Sequence, residues 1–248
     1  MANKRVLIGG PLRQEPKILK EHLKSLDELN TDGLQVDRFY VVNDCPEALP
    51  LLKKGEFIVK NTGDHYKKTD KTHVWTPQNL DKMSQLRNIV IEVARMRNYD
   101  YLLFCDTDLV IHPETLQTLI RTGKDIVAEV FWTKSDPDEP WIWANAWDYD
   151  QTHTSAESVE LWMKPGTYPV GGTGALMLLS RKVLENDKVN YSRIYNIRNA
   201  LYGEDRWFMI RAAVEGFQLY LNTECPAVHL YRETEYKQFM EERYGANR

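Results

Sequence analysis

Short apolar runs alternate with stretches of helical period over the first 111 residues, and that alternation commits the chain to a mainly parallel sheet. Residues 5–9 (RVLIG) read as a strand. Residues 16–29 follow as a helix with Pro16 in its first turn and Leu19, Leu23 and Leu26 on one face. Residues 36–42 form a second strand, which ends at Asn43 and Asp44, and residues 56–60 a third. Residues 80–97 place Met83, Leu86, Val90 and Val93 at helical spacing and deliver the chain into a fourth apolar run, YLLFCDTDLVI, from Tyr101 to Ile111. The result is a β-α-β-α-β series.

That fourth run breaks off at Asp106-Thr107-Asp108, ahead of a helix opening at His112-Pro113-Glu114-Thr115. Open α/β sheets bind ligands beyond the carboxyl ends of their strands, so the pair of carboxylates stands where substrate would meet it. Two acids this close repel unless a cation joins them, most simply a hard divalent metal that could hold a diphosphate. A bare D-x-D triplet caps helices equally well. Its position after LLF is what favours a metal site. An EF-hand needs further ligands and a Gly that LVIHPE lacks, and no Gly-rich P-loop with its Lys stands nearby.

Length and charge narrow the partners. With 248 residues the chain fills one large α/β domain or two small ones. A net charge of -4 gives no electrostatic reason to expect nucleic acid or an acidic membrane. The three cysteines, Cys45, Cys105 and Cys225, are scattered and odd in number, which reads as small buried hydrophobes in a reducing compartment. The opening residues carry no secretory pattern, and no apolar stretch approaches the ~20 residues of a membrane span. The expectation is a soluble cytoplasmic protein without an integral membrane segment, with peripheral membrane association left open for a helix at residues 232–243.

Residues 63–78 (GDHYKKTDKTHVWTPQ) have no periodicity; they read as a solvated loop or as a flap bringing Lys67, Lys68 and Lys71 over a phosphate-bearing ligand. In the second half, residues 125–132 and 141–147 are strand-like and aromatic. Gly171-Gly172-Thr173-Gly174 opens another apolar strand through Leu179, and Gly203-Glu204-Asp205 opens a helix ending near Gly216. No repeat or low-complexity linker separates the halves, so residues 1–248 are read as a single domain.

Four motifs stand in one order: DTD at Asp106 to Asp108, VGGTGA at Val170 to Ala175, GED at Gly203 to Asp205, and His229 in PAVHLYR. Together they resemble the GT-A nucleotide-sugar glycosyltransferases, with their DxD motif, glycine loop, xED motif and C-terminal histidine. The opening RVLIGGPLRQEP and the VVND closing the second strand look like bacterial family 2 members. The resemblance implies a GT-A (Rossmann-like) α/β fold, a mainly parallel central sheet flanked by helices with a small antiparallel sheet in the acceptor half. Residues 1–110 would form the nucleotide-binding half and residues 111–248 the acceptor and catalytic half.

The resemblance also distributes roles. Asp108 would ligate the metal, Asp106 would contact the ribose or a metal-bound water, and His229 would complete the coordination, a donor set that suits Mn²⁺ somewhat better than Mg²⁺. Asp205, beside Glu204, would be the base that takes the acceptor proton. The same two acids also suit a helix start for capping and dipole reasons, and that position favours the ionised carboxylate. Gly172, Thr173 and Gly174 would let the backbone approach donor sugar and acceptor, because glycine carries no Cβ. Asp44 would meet the base of the nucleotide, with Pro11, Arg13, Arg87 and Thr107 near it. Trp132, Trp141, Trp143 and Trp147 read mostly as core, with Trp132 the choice for an aromatic face toward the acceptor.

The implied reaction moves a sugar from a nucleotide diphosphate donor, UDP-linked before GDP-linked, to a glycan or other hydroxyl acceptor. Inversion follows if Asp205 is the base, although retaining enzymes share the fold. Two other readings compete: a nucleotidyltransferase releasing pyrophosphate, for which GGPLRQEP supplies only part of a phosphate loop, and a non-catalytic sugar- or nucleotide-binding domain, which would have no need of DTD, GED and His229 together.

Overall fold

The computed structural model describes residues 3–63, 75–134, 136, 138, 140–149, 154–197 and 203–245. The anticipated flap lysines, Lys67, Lys68 and Lys71, lie outside the described residues. In chain order the elements are β1 (Lys4–Leu12), α1 (Pro16–Asp27), β2 (Leu34–Asn43), a 3-10 turn (Pro46–Leu51), β3 (Phe57–Lys60), α2 (Pro77–Met96), β4 (Tyr101–Phe104), β5 (Leu109–Val110), α3 (Thr115–Arg121) and β6 (Ile126–Thr133). Then come β7 (Trp143–Ala144), β8 (Ala146–Trp147), α4 (Ala156–Trp162), β9 (Thr167–Val170), β10 (Gly172–Thr173), β11 (Met177–Ser180), α5 (Arg181–Glu185), α6 (Glu204–Val214), β12 (Leu219–His229) and α7 (Glu233–Tyr244).

The first-half series folds as its sequence pattern dictates. Pro16 opens α1, and Thr76 caps α2 through reciprocal bonds with Asn79. β3, β2, β1 and β4 run parallel in that order. Beyond β4 the sheet continues with β11, β6, β12 and β5. β11 lies antiparallel to both β4 and β6, and the parallel sense returns between β6 and β12. Both halves of the chain therefore share one sheet, and β8 with β10 makes the small antiparallel pair.

The central strands are buried on both faces, so their side chains serve two separate cores. Leu7, Leu102 and Phe104 pack on one face with Leu86, Val90 and Ala94 of α2 and Phe208, Met209 and Ala212 of α6. Val6, Ile8 and Leu103 pack on the other with Leu19 and Leu26 of α1 and Leu116 and Leu119 of α3. α7 closes over α1: Tyr236, Phe239 and Met240 meet Ile18, while Lys17 pairs with Glu233 and Arg243 with Glu28. The apolar side chains of the helix expected at residues 232–243 are thus committed to packing. Among the described residues no helix is long and apolar enough to cross a membrane.

The second half departs from its expected strands at two places. Residues 141–147 do not run as one strand; they break at Asn145 between β7 and β8. The strand anticipated from the glycine loop through Leu179 breaks at Ala175, which holds a left-handed φ of 63° between β10 and β11.

Candidate active site

A cleft of about 510 Å³ opens beyond the carboxyl ends of β1, β2 and β4. It is the place the sheet topology reserves for a ligand. Of the residues singled out from sequence, Pro11, Arg13, Arg87, Asp106, Thr107, Asp108, Glu204, Asp205 and His229 line it.

One end is built by strand pairing. β4 stops at Phe104, the chain turns through the DTD triplet with Leu109 N–H donating to Asp106 O, and β5 starts at once. β5 pairs antiparallel with the end of β12, so that His229 faces Leu109. Leu230 N–H donates to Asp108 O at 2.8 Å. This brings His229 Nε2 to 3.5 Å from Asp108 Oδ2. The other ring nitrogen lies 3.2 Å from Thr133 Oγ1, and the Phe131 ring sits 4.8 Å from the imidazole. Burial works against a charged imidazole, but Asp108 outweighs it and raises the His229 pKa. From the other side of β5, buried His22 binds Leu109 O at 2.8 Å, and Ile111 N–H donates to Ser25 Oγ.

The other end is organised by Arg87, whose side chain is only 5% exposed. Its Nη2 lies 3.4 Å from each carboxylate oxygen of Asp106. Its Nε lies 3.8 Å from Glu204 Oε1 and 3.9 Å from Asp205 Oδ1. The guanidinium also rests over the Phe104 and Tyr191 rings, at 5.7 and 5.4 Å. α2 thus supplies a buried cation to acids from the turn after β4 and from α6. Arg87 Nε and Nη1 and Asp205 Oδ1 are buried and make no hydrogen bond among the described residues, so Nε and Oδ1 are balanced by charge alone across 3.9 Å.

Burial, then the neighbouring Asp205, pushes the Glu204 carboxyl up to about 8 against the pull of Arg87. The Asp205 carboxyl is raised too, by burial first, with Arg87 opposing and Asp106 assisting. This corrects the expectation that the helix start would favour ionisation: desolvation outweighs the dipole. The N-cap of α6 is Gly203, whose φ of 147° only glycine adopts readily; it offers no capping side chain, while the Glu204 carboxyl bonds its own backbone N–H.

The glycine loop is used differently from the expectation. Gly172, Thr173 and Gly174 are buried, and of this loop it is Ala175 that lines the cleft. A Cβ on Gly174 would stand 2.6 Å from Asp205 Oδ2, and one on Gly172 would strike the Trp147 ring at 2.3 Å. The missing side chains make room for the acid and for a tryptophan over which Arg206 stacks at 4.7 Å. Asn145 pins the loop: its Nδ2 donates to Glu129 O and Gly174 O, its Oδ1 accepts from Phe131 N–H, and its own carbonyl accepts from Gly174 N–H and Thr173 Oγ1. An Asn inside an aromatic, strand-like run was the available signal for this role.

Asp44 also departs from its assigned place. With a φ of 47° it turns its carboxylate to Thr62 and Gly63, and its neighbours Asn43 and Glu47 line the cleft instead. Among the tryptophans, Trp141 and Trp143 are exposed, not core. Trp132 packs against the α2 side of the sheet; Phe131, one residue earlier and so on the opposite face, is what lines the cleft. Trp75 and Tyr231 line it as well.

The sequence pattern of the family described as "Glycosyltransferase family 25, N-terminal domain" matches residues 42–239. The chain belongs to this glycosyltransferase family. Within the GT-A resemblance, the matching family is thus family 25, whereas the opening motifs resembled family 2. Procollagen galactosyltransferase 2 of Homo sapiens is 22% identical to the glycosyltransferase over 148 residues, 59% of this chain and 24% of the relative. The Mus musculus protein of the same name matches with the same identity and coverage. The chain thus spans about a quarter of the length of these relatives. Among solved structures, S. aureus TarS 1-349 in complex with UDP-GlcNAc superposes with a TM-score of 0.50 at 13% identity, covering 90% of this chain and 58% of that one, a likeness of fold.

Proposed function

We propose that this glycosyltransferase moves a hexose from a UDP-linked donor to a hydroxyl acceptor with a divalent cation, and inverts the anomeric centre. The observation that carries the reading is the meeting, in one cleft, of the Asp108 and His229 pair with the Glu204, Asp205 and Arg87 cluster. A carboxylate and an imidazole at 3.5 Å are a fitting two-ligand seat for Mn²⁺ or Mg²⁺, with a diphosphate and water as the remaining donors. Among the described residues no group of three His, Cys, Asp or Glu side chains could hold a metal by itself, which is consistent with a cation that shares its ligands with substrate. Asp106 faces Arg87, so its role is to fix that arginine and to meet the ribose or a metal-bound water.

When bound, the cation stabilises the negative charge that develops on the leaving diphosphate. Asp205 takes the acceptor hydroxyl proton as the oxygen bonds to the anomeric carbon and the bond to the nucleoside diphosphate breaks. Its raised pKa suits a group that must accept a proton near neutrality. Arg87 keeps Glu204 and Asp205 from sharing their repulsion alone. Residues 1–110 carry the nucleotide and residues 111–248 the base and acceptor. UDP is favoured because TarS is a UDP-GlcNAc complex, and galactose is the first sugar to try because the curated relatives are galactosyltransferases by name. The three cysteines are free and buried, as suits a cytoplasmic setting.

The test is thermal unfolding with UDP, GDP, CDP or dTDP, each with Mn²⁺ or with EDTA. A ligand at 100 times its dissociation constant adds about 2.7 kcal/mol. UDP should stabilise the protein with Mn²⁺ and not with EDTA. Equal shifts in EDTA would remove the metal from the reading, and no shift with any nucleotide would remove the donor.

A further inference from the structure

β12 does not run evenly along β6. Asn222 faces Glu129 and Ala227 faces Phe131, so β12 advances five residues while β6 advances two. Carried on without that irregularity, the register would set His229 three positions past Thr133, where β6 ends. The shift draws His229 back to Thr133, which its ring meets at 3.2 Å. An odd number of extra residues also reverses which face the following side chains occupy. Leu219 and Leu221 accordingly pack on the α2 side of the sheet, whereas Ala227, of the same parity, packs on the α1 side with Phe131. His229 shares that parity and stands against the Phe131 ring.

The bulge must have its amides satisfied to persist. Thr223 N–H donates to Gly166 O and Glu224 N–H to Asn222 Oδ1, and neither bond touches β6. Cys225 N–H donates to Glu129 Oε1 at 3.2 Å, a bond that ties the bulge to β6. Glu129 is fully buried on β6, a costly place for a carboxyl that only packs, and its Oε1 also accepts from Val130 N–H.

We propose that Glu129 is the positioning residue of this site: by clamping the β12 bulge to β6 it sets the register that brings His229 to Asp108. The proposal rests on reading Asp108 and His229 as the pair that holds the cation. The experiment uses the full chain as Glu129→Gln, which keeps an acceptor oxygen, and Glu129→Met, which keeps the bulk without one. NMR contacts between the His229 and Phe131 rings are measured, and Mn²⁺ affinity in the presence of UDP is measured separately. Glu129→Met should lose the ring contacts and bind Mn²⁺ at least tenfold more weakly, whereas Glu129→Gln should retain both. Intact ring contacts in a folded Glu129→Met would overturn the proposal. Should Glu129→Met fail to fold, hydrogen exchange in the unaltered protein decides: the Cys225 amide should be protected like a strand interior, and exchange at the rate of a free loop would overturn the clamp. If the unaltered protein binds no Mn²⁺, the metal reading falls, while the ring contacts still judge Glu129.

Discussion

The two ends of the cleft handle negative charge in opposite ways. At the Asp205 end, three carboxyls share a buried arginine that rests over two aromatic rings. At the Asp108 end, the partner is an imidazole that is neutral or charged according to conditions, set in place by strand register. A built-in cation suits groups whose charge must be tuned, because it moves with the fold; an exchangeable one suits a group that appears only with substrate. On the proposed reading, Arg87 belongs to the protein's own architecture and Asp108 is a seat for something brought in.

Four experiments can break or sharpen that contrast. Asp108→Ala should abolish turnover, read as release of nucleoside diphosphate, while the thermal midpoint stays within a few degrees. Turnover close to that of the unaltered enzyme at saturating donor would sink the cation seat. Asp205→Asn should lower kcat by about 10² to 10⁴ and leave donor affinity nearly unchanged. A donor affinity that collapsed along with kcat would mean that the cluster binds substrate instead of taking a proton. Arg87→Met should cost about 3–5 kcal/mol in urea unfolding near neutral pH, because it strands Asp106, Glu204 and Asp205 without their counter-ion. The loss should grow toward pH 9, where Glu204, raised to about 8, gives up its proton and needs the counter-ion most.

A further experiment concerns Glu129, which burial raises to about 8. The folded protein holds this proton more tightly than the unfolded chain, so the stabilising contribution is full below the ordinary glutamate range and is lost as pH rises through about 8. Unfolding followed from pH 5 to 9 should therefore give a steeper decline for the unaltered protein than for Glu129→Gln. Parallel curves would mean that the carboxyl is not held protonated.

The first-half sheet could be read from sequence because each of its elements follows a local rule: Pro16 starts a helix, leucines recur on one face, and YLLF ends in acids. The motifs that line the cleft were legible for the same reason, since Asp106, Asp108, Glu204, Asp205 and His229 stand in short, recognisable contexts. What escaped depends on residues remote in the chain. Pro226, beside Cys225, is the one local hint of a bulge, but it says nothing of register, which β12 draws from partners that precede it by scores of residues. What the glycines make room for was not legible, because a vacant Cβ position signals close approach without saying by what. Asp44 turns to its own loop because a polar residue at a strand end can bind that loop as easily as a ligand.

The place of β11 in the sheet has a consequence for how the chain folds. β3, β2, β1 and β4 are complete once Phe104 has been synthesised, but the strand that covers the far edge of β4 begins only at Met177. Until then YLLF presents an apolar row of unpaired amides and carbonyls on a half-built protein, the kind of edge that recruits other chains. Folding of this enzyme should therefore be slow and sensitive to concentration, and a chaperone's protection should matter most while the ribosome is making the stretch between those two strands.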